Sequence, residues 1–424
     1  MLFEPIGGSA ASNLQPDYLP AEASARAILF DVGSFSERDI YVKNLDTGES
    51  RKLATGAGPA YSPSGHILYQ AGFGKPGLWA VPFSIETLET TGEPFLVDAT
   101  LSRAGVSNDN ALVAARMTLG NEPKRLIWRD RTGKELGEIG RPQPTILRPA
   151  LSPDGARVAV AGSDEPGYGS DIWIHEADRP VARRITFDAG VEDFPVWSSD
   201  GRQITIAAEG SVLFDIVQLS VDGSQEAQTL VSTPDREAEM GWSPDERILV
   251  FSVTNAQGNH DLKTFHVDGG RIETLLDTPF NERTPAISPD GRLIAYSADE
   301  SGQYEVYVRE FPSGSSVRQV SEQGGYQPRW SKDGRELYYV AQDGMLMAVG
   351  VDAAAGLPLG RPESLFETHF FDYSTALAAW DYDVSADGRF VVVEKADADE
   401  QGARNTTIRV IENWHEEFRD QSRE

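Results

Sequence analysis

The sequence predicts an all-β fold, a closed β-propeller of four-stranded blades, on three observations. A turn of the type Ser-x-Asp-Gly recurs from end to end of the chain. Its serines are mostly about 45 residues apart, the period of one four-stranded blade. Between the turns lie short apolar segments of strand length, with no stretch of helical period.

The clearest copy is residues 148–187. A short apolar strand meets the turn Ser152-Pro153-Asp154-Gly155, where Pro presets φ, Asp bonds its own backbone and Gly accepts φ > 0. A Val-rich strand follows over 157–161, a third over 171–174 and a fourth over 183–187. Related turns begin at Ser62, Ser107, Ser198, Ser243, Ser288, Ser331 and Ser385, and a degenerate one spans 18–21. That makes nine copies. A lone sheet of this kind cannot bury both faces, so radial stacking is expected.

Taken in order, the first copy supplies strands at 27–32, 39–45 and 51–54, and the second at 67–71 and 78–83. The third supplies 111–116, 125–130 and 135–139. The fourth is the reference copy. The fifth supplies 203–208, 214–219 and 228–231, the sixth 248–253, 261–266 and 271–276, and the seventh 293–298, 305–311 and 318–321. The eighth supplies 336–340 and 345–351 before a long insertion, 352–380. The ninth supplies 390–395 and 406–412 and lacks a fourth strand; a tail, 414–424, follows. Residues 1–13 hold a spare strand (2–6) and a linker. The expectation is one propeller domain over 1–424, closed by that spare strand pairing with the last blade. Nine blades are expected, or eight if the degenerate first copy does not complete one. Closure removes exposed sheet edges.

Composition narrows the function classes. The chain has 424 residues, no cysteine and a net charge of −28. Disulfide and thiolate chemistry are excluded. The acidity argues against nucleic-acid and anionic-membrane partners, which need a basic footprint. No apolar run is long enough for a helical membrane span. The opening residues lack the basic start and apolar core of a signal peptide. A native amino terminus would imply a cytoplasmic protein.

The repeats resemble the WD40-like propeller repeats of the TolB family. Three longer stretches are most similar to the carboxy-terminal propeller of bacterial serine/threonine kinases: DRTGKELGEIG (130–140), FNERTPAISPDGRLIAYSADESGQYEVYVREFP (280–312) and GGYQPRWSKDGRELYYVAQDGMLMAV (324–349). Ile411-Glu412-Asn413-Trp414 resembles that group's terminal segment. The resemblance covers the chain from about Asp17. It implies a binding or sensing propeller, and a periplasmic or extracytoplasmic place if the chain is a trimmed piece. Kinase motifs and TolB's amino-terminal domain have no counterpart here, so those partners do not carry over.

Catalytic signatures are weak. Gly241-Trp242-Ser243-Pro244-Asp245 lacks the second Gly of a nucleophile elbow and is the repeat's own turn. His260 and His266 lack an acidic pair to complete a ligand set, and His175, His369 and His415 are isolated. The run Asp397-Ala398-Asp399-Glu400 lacks calcium-loop spacing. The turn aspartates read as turn formers. No catalytic residue, metal site or cofactor is expected.

The innermost strand of each blade offers the better clue, since it lines the central channel. In its pattern P-x-W-S, x and the residue two before it should share a face. The x positions are mostly small, except Asp17, Arg329 and Asp383. The preceding set includes Arg103, Arg148, Glu239 and Asp381. A channel mouth with a basic sector at Arg103 and Arg148, and an acidic sector, is therefore expected. The candidate ligand-binding residues are Asp17, Arg103, Arg148, Glu239, Arg329, Asp381 and Asp383.

Three functions follow. The first is a non-catalytic propeller that binds or senses a protein or a small polar ligand at the channel mouth. The second is a channel-mouth enzyme, a lyase or hydrolase acting on a polar or sugar substrate. The third is an interaction scaffold contacting its partner through Phe366, Phe370, Phe371, Tyr373 and Trp380 of the insertion.

Overall fold

The repeated turn builds the fold in the way its residues dictate. In the computed structural model, the Ser hydroxyl donates to the Asp carboxylate at Ser152–Asp154, Ser198–Asp200, Ser243–Asp245, Ser288–Asp290 and Ser331–Asp333, at 2.5–2.7 Å, and likewise at Ser385–Asp387. The same hydroxyl accepts the backbone N–H that opens the next strand, as from Arg157 at 3.0 Å and Leu293 at 2.9 Å. The fourth turn residue takes positive φ, from Gly155 (71°) to Gly388 (80°). In the Ser243 turn that position is Glu246, at 54°. The turn aspartates are thus occupied in shaping hairpins, and Ser152 holds the Asp154 carboxyl below its usual range.

The structure describes residues 17–19, 26–33, 38–71, 77–99, 101–107, 111–116, 123–164, 170–188, 190–210, 213–255, 258–314, 316–351, 360–368, 380–396, 407–411 and 414–415. These are almost wholly β, with a single short 3₁₀ turn at Trp414 and His415. The chain forms two compact units. The larger comprises Glu122–Pro166 and Ser170–Asp397.

In the larger unit, antiparallel sheets follow the repeat. The first runs Thr145–Leu151, Arg157–Ser163, Asp171–Glu176, Ala182–Arg184 from inner to outer edge. The second starts at Glu192–Trp197, the third at Arg236–Trp242, the fourth at Glu282–Ile287 and the fifth at Gly325–Trp330. A sixth sheet is composite. Tyr382–Val384 pairs with Phe390–Lys395, which pairs with Lys124–Arg129, then Glu135–Gln143. Each inner strand packs against the next, and Tyr382–Val384 packs against Thr145–Leu151. Cross-sheet bonds reinforce this: the indole N–H of Trp197 donates to the Ala150 carbonyl (2.8 Å), and that of Trp330 to the Ala286 carbonyl (2.9 Å). The core lies between sheets, in clusters such as Leu126, Ile139, Val158, Val160 and Val391, all buried. Period-2 alternation predicts such two-faced packing.

The smaller unit contains Asp17–Tyr18, Ala27–Gly33, Arg38–Asn44 and the long strand Ser50–Ser62. That strand continues into His66–Ala71, Leu78–Ser84 and Phe95–Asp98. A further sheet joins Leu101–Val106, Leu112–Arg116 and Thr407–Ile411.

This pairing corrects the repeat assignment in one place. The third and ninth copies do not each form their own sheet. The inner half of the third pairs with the outer strand of the ninth in the smaller unit. The inner half of the ninth pairs with the outer half of the third in the larger unit. Both edges of Phe390–Lys395 are therefore occupied. The expected closing segment, residues 2–6, lies outside the described residues. Of the insertion's aromatics, Phe366 and Trp380 are buried packing residues, while Phe370, Phe371 and Tyr373 lie outside the described residues.

Candidate functional site

The expected simple alternation along the inner strands is interrupted by a repeated bulge. Register slips between Leu147 and Ala150, Asp193 and Val196, Ala238 and Met240, Arg283 and Ala286, and Tyr326 and Arg329. At each slip one non-glycine residue adopts left-handed φ: Arg148 (52°), Phe194 (52°), Glu239 (37°), Thr284 (51°) and Gln327 (57°). The extra residue leaves the ladder, and its side chain is re-aimed. In these five strands the residue two before x is the bulge residue; Arg148, Glu239 and Gln327 reach across to the neighbouring inner strand, whereas the Thr284 hydroxyl bonds Ser297 of its own sheet.

Arg148 extends over the Phe194 ring, 4.4 Å from its centroid, and its Nε lies 3.0 Å from Asp193 Oδ1. Glu239 is fully buried. Its Oε1 accepts from the Arg283 guanidinium (2.6 Å) and its Oε2 from the Thr284 N–H (2.8 Å). Gln327 exchanges hydrogen bonds with Asp381: its Nε2 donates to Oδ2 (3.3 Å), and its Oε1 accepts the Asp381 N–H (3.2 Å). Arg329 lies 4.2 Å over the Trp380 ring, with its Nε 4.0 Å from Asp383 Oδ1. Asp383 accepts the N–H of Leu151 (2.7 Å) and of Val384 (2.8 Å), pinning the sixth sheet to the first.

Of the sequence-derived candidates, Arg148, Glu239, Arg329, Asp381 and Asp383 belong to the larger unit, and Arg329 and Asp383 are neighbours. Asp17 and Arg103 belong to the smaller unit, where Asp17 pairs opposite Leu29 and Arg103 lies on Leu101–Val106. Their side chains lie outside the described residues.

Sequence reasoning missed Asp193, Arg236 and Arg283, and weighed His260 only as a metal ligand. Asp193 and Arg283 share one repeat position, three before x, so a third offset would have found them. Arg236 begins the third inner strand and lies 4.8 Å over the Phe214 ring. Among the described residues no carboxylate comes within 4.0 Å of it. Asp193 and Glu239 nonetheless act on it electrostatically, as do Arg148 and Arg283.

The electrostatics follow from burial opposed by pairing. Burial works to raise the Glu239 carboxyl, but Arg283 and the Thr284 N–H outweigh it and hold it below its usual range. For Asp193 burial wins over Arg148, and its carboxyl is raised. Burial lowers Arg236, against the pull of Asp193 and Glu239. Burial, with Arg283 beside it, lowers His260 to about 4, so the ring is neutral at pH 7. Its Nδ1 lies 3.0 Å from the Thr254 hydroxyl. Among the described residues no group of three His, Cys, Asp or Glu side chains is placed to hold a metal ion.

Comparison with known proteins gives a consistent family signal. Residues 224–357 match the family described as TolB beta propeller domain. The uncharacterized peptidase YuxL of Bacillus subtilis strain 168 is 28% identical over 120 residues, 27% of this chain and 18% of that protein. The Tol-Pal system protein TolB of Alcanivorax borkumensis is 27% identical over 84 residues, 20% of this chain and 19% of that protein. The matches thus span less than a fifth of either relative. A solved structure assigned as TolB from Agrobacterium tumefaciens superposes with a TM-score of 0.52 at 18% identity, covering 66% of this chain and all of that one. That likeness speaks for the fold alone.

Proposed function

We propose, from the match of residues 224–357 to the TolB beta propeller domain, that the chain is a non-catalytic binding module of TolB-like repeats whose site is the inner-strand face of the larger unit. In this reading the unit is a closed ring of six sheets, with Lys124–Arg129 pairing to Phe390–Lys395 as the closure. The single observation that carries it is the bulge set. Five inner strands hold a left-handed non-glycine residue at the same position. Such a conformation costs on the order of 1–3 kcal/mol each, and clusters where a backbone serves a site. Here it aims Arg148, Glu239 and Gln327 at partners on the next strand.

A binding role accords with how the histidines are used. His175 is fully buried against Gln143 (2.8 Å), and His260 is neutral beside Thr254. Neither holds a nucleophile–base–orienter arrangement of the kind general-base chemistry needs. The peptidase name attaches to a relative of which only a small part is matched, and no activity is carried over from it. The ligand is a protein segment or a small polar molecule.

Hydrogen exchange on the full chain, with ligands from a peptide and polar-metabolite panel that raise its melting temperature, tests this. Protection is expected in Thr145–Leu151, Glu192–Trp197, Arg236–Trp242 and Glu282–Ile287. Protection confined to outer strands such as Arg271–Leu276 would favour the scaffold instead, and turnover of the ligand would favour the enzyme.

A further inference from the structure

One sector of the inner face, around Arg236, carries a local charge surplus opposite to that of the chain. Arg148, Arg236 and Arg283 lie within mutual electrostatic reach, with Asp193 and Glu239 among them. Three guanidiniums against two carboxylates leave one positive charge, in a chain whose net charge is −28. The acids are already committed. Glu239 is closed off by Arg283 and the Thr284 N–H. Asp193 accepts its neighbour Phe194's N–H at 2.8 Å and faces Arg148. Arg236 is the cation left over. It is partly exposed, it rests on Phe214, and it has no carboxylate within ion-pairing distance among the described residues. A guanidinium held on a ring face and partly desolvated presents its planar fork in a fixed place.

Resting on the binding reading above, we propose that Arg236, flanked by Arg148 and Arg283, is a docking site for one carboxylate, borne by a cationic or zwitterionic peptide-like ligand. The surplus of a single charge matches a monoanion rather than a phosphate dianion. A guanidinium fork matches a carboxylate in a bidentate manner. The acidic chain repels simple anions over the Debye length and attracts a ligand whose remainder is positive. The ligand is therefore mixed in charge: its basic part is steered by the protein's field, and its carboxylate is retained by Arg236.

Calorimetric titration of the full chain with the tripeptide Lys-Ala-Ala as free acid, and with its carboxy-terminal amide, decides the matter at low ionic strength. Non-specific attraction to an acidic protein favours the amide, which carries the greater positive charge. The docking site instead gives the acid at least about tenfold tighter binding. Arg236→Gln is expected to remove that preference and Arg236→Lys to keep a fraction of it, with unchanged melting curves. Should Arg236→Gln fail to fold, the acid–amide comparison on the unaltered chain still decides. Equal binding of both peptides, with hydrogen-exchange protection still on the inner strands, overturns the carboxylate assignment and leaves the binding module standing. Binding of neither at millimolar concentration overturns the assignment, and protection mapped to outer strands overturns both. Competition by inorganic phosphate stronger than by acetate would show a dianion site and also overturn it.

Discussion

Asp383, a candidate ligand residue by sequence, also joins two sheets. Its charge stood out among small inner-strand positions. Its carboxylate accepts two backbone N–H groups, from Leu151 on the first sheet and Val384 on its own. Hydrogen bonds to a charged group contribute about 1.5–3 kcal/mol. Asp383→Ala is expected to lower the urea unfolding free energy by about 3 kcal/mol, because two buried N–H groups lose their acceptor. Trp330 is the counterpart on another junction: Trp330→Phe removes the donor to the Ala286 carbonyl and is expected to cost about 1–2 kcal/mol by the same measurement. The bulge residues were harder to read. Left-handed φ is usually announced by Gly or Asn, and here Arg148, Phe194, Glu239, Thr284 and Gln327 adopt it instead. Their positions were legible from the repeat. Their re-aimed side chains were not, because a bulge is set by cross-strand register rather than by the local sequence.

At the scale of the element, a second repeat emerges that the turn motif hides. Glu192, Glu237 and Glu282 are the first or second residues of three successive inner strands, and all are buried. Each is met by a Thr hydroxyl from the preceding loop, of Thr186, Thr233 and Thr278 respectively. Each also feels a carboxylate at the first or second residue of the third strand of the previous sheet: Asp171, Asp215 and Asp261. Burial, with that like charge added, pushes Glu192 up to about 8 and Glu237 and Glu282 up to about 7. The folded state thus holds these protons more tightly than the unfolded chain, where Glu titrates near ~4.3. Their contribution is fully present below that value and is lost as pH rises through about 7–8. Unfolding midpoints are therefore expected to fall between pH 5 and 8.5. Glu237→Gln and Glu282→Gln should each flatten that fall, by about 1 kcal/mol or more. Parallel pH profiles of variant and parent would show that these carboxyls do not titrate as described.

For the whole molecule, strand type and turn chemistry were legible because each hairpin is decided locally, by Ser-x-Asp-Gly and period-2 alternation. The exchange between the third and ninth copies was not. It joins residues some 270 apart, as in the Lys124–Lys395 pairing, and local pattern carries no information on which of several similar edges a strand will choose. The consequence is that the larger unit owns both halves of its sixth sheet. A chain of residues 122–397 is expected to unfold cooperatively in urea, and one ending at residue 386, which lacks Phe390–Lys395, is expected to lose that cooperativity.

The inner face is one site only if that composite sheet forms, so the closure is the claim to test. The native chain has no cysteine, which makes a designed pair unambiguous. Lys124 and Lys395 are directly opposed across the junction, within the reach of a disulfide. In the variant Lys124→Cys/Lys395→Cys, oxidation of the native protein is expected to give a quantitative intramolecular disulfide. Closing so long a loop should also raise the unfolding free energy by on the order of 4 kcal/mol. Thiols that stay free in the native state, or cross-link only after unfolding, would contradict the account.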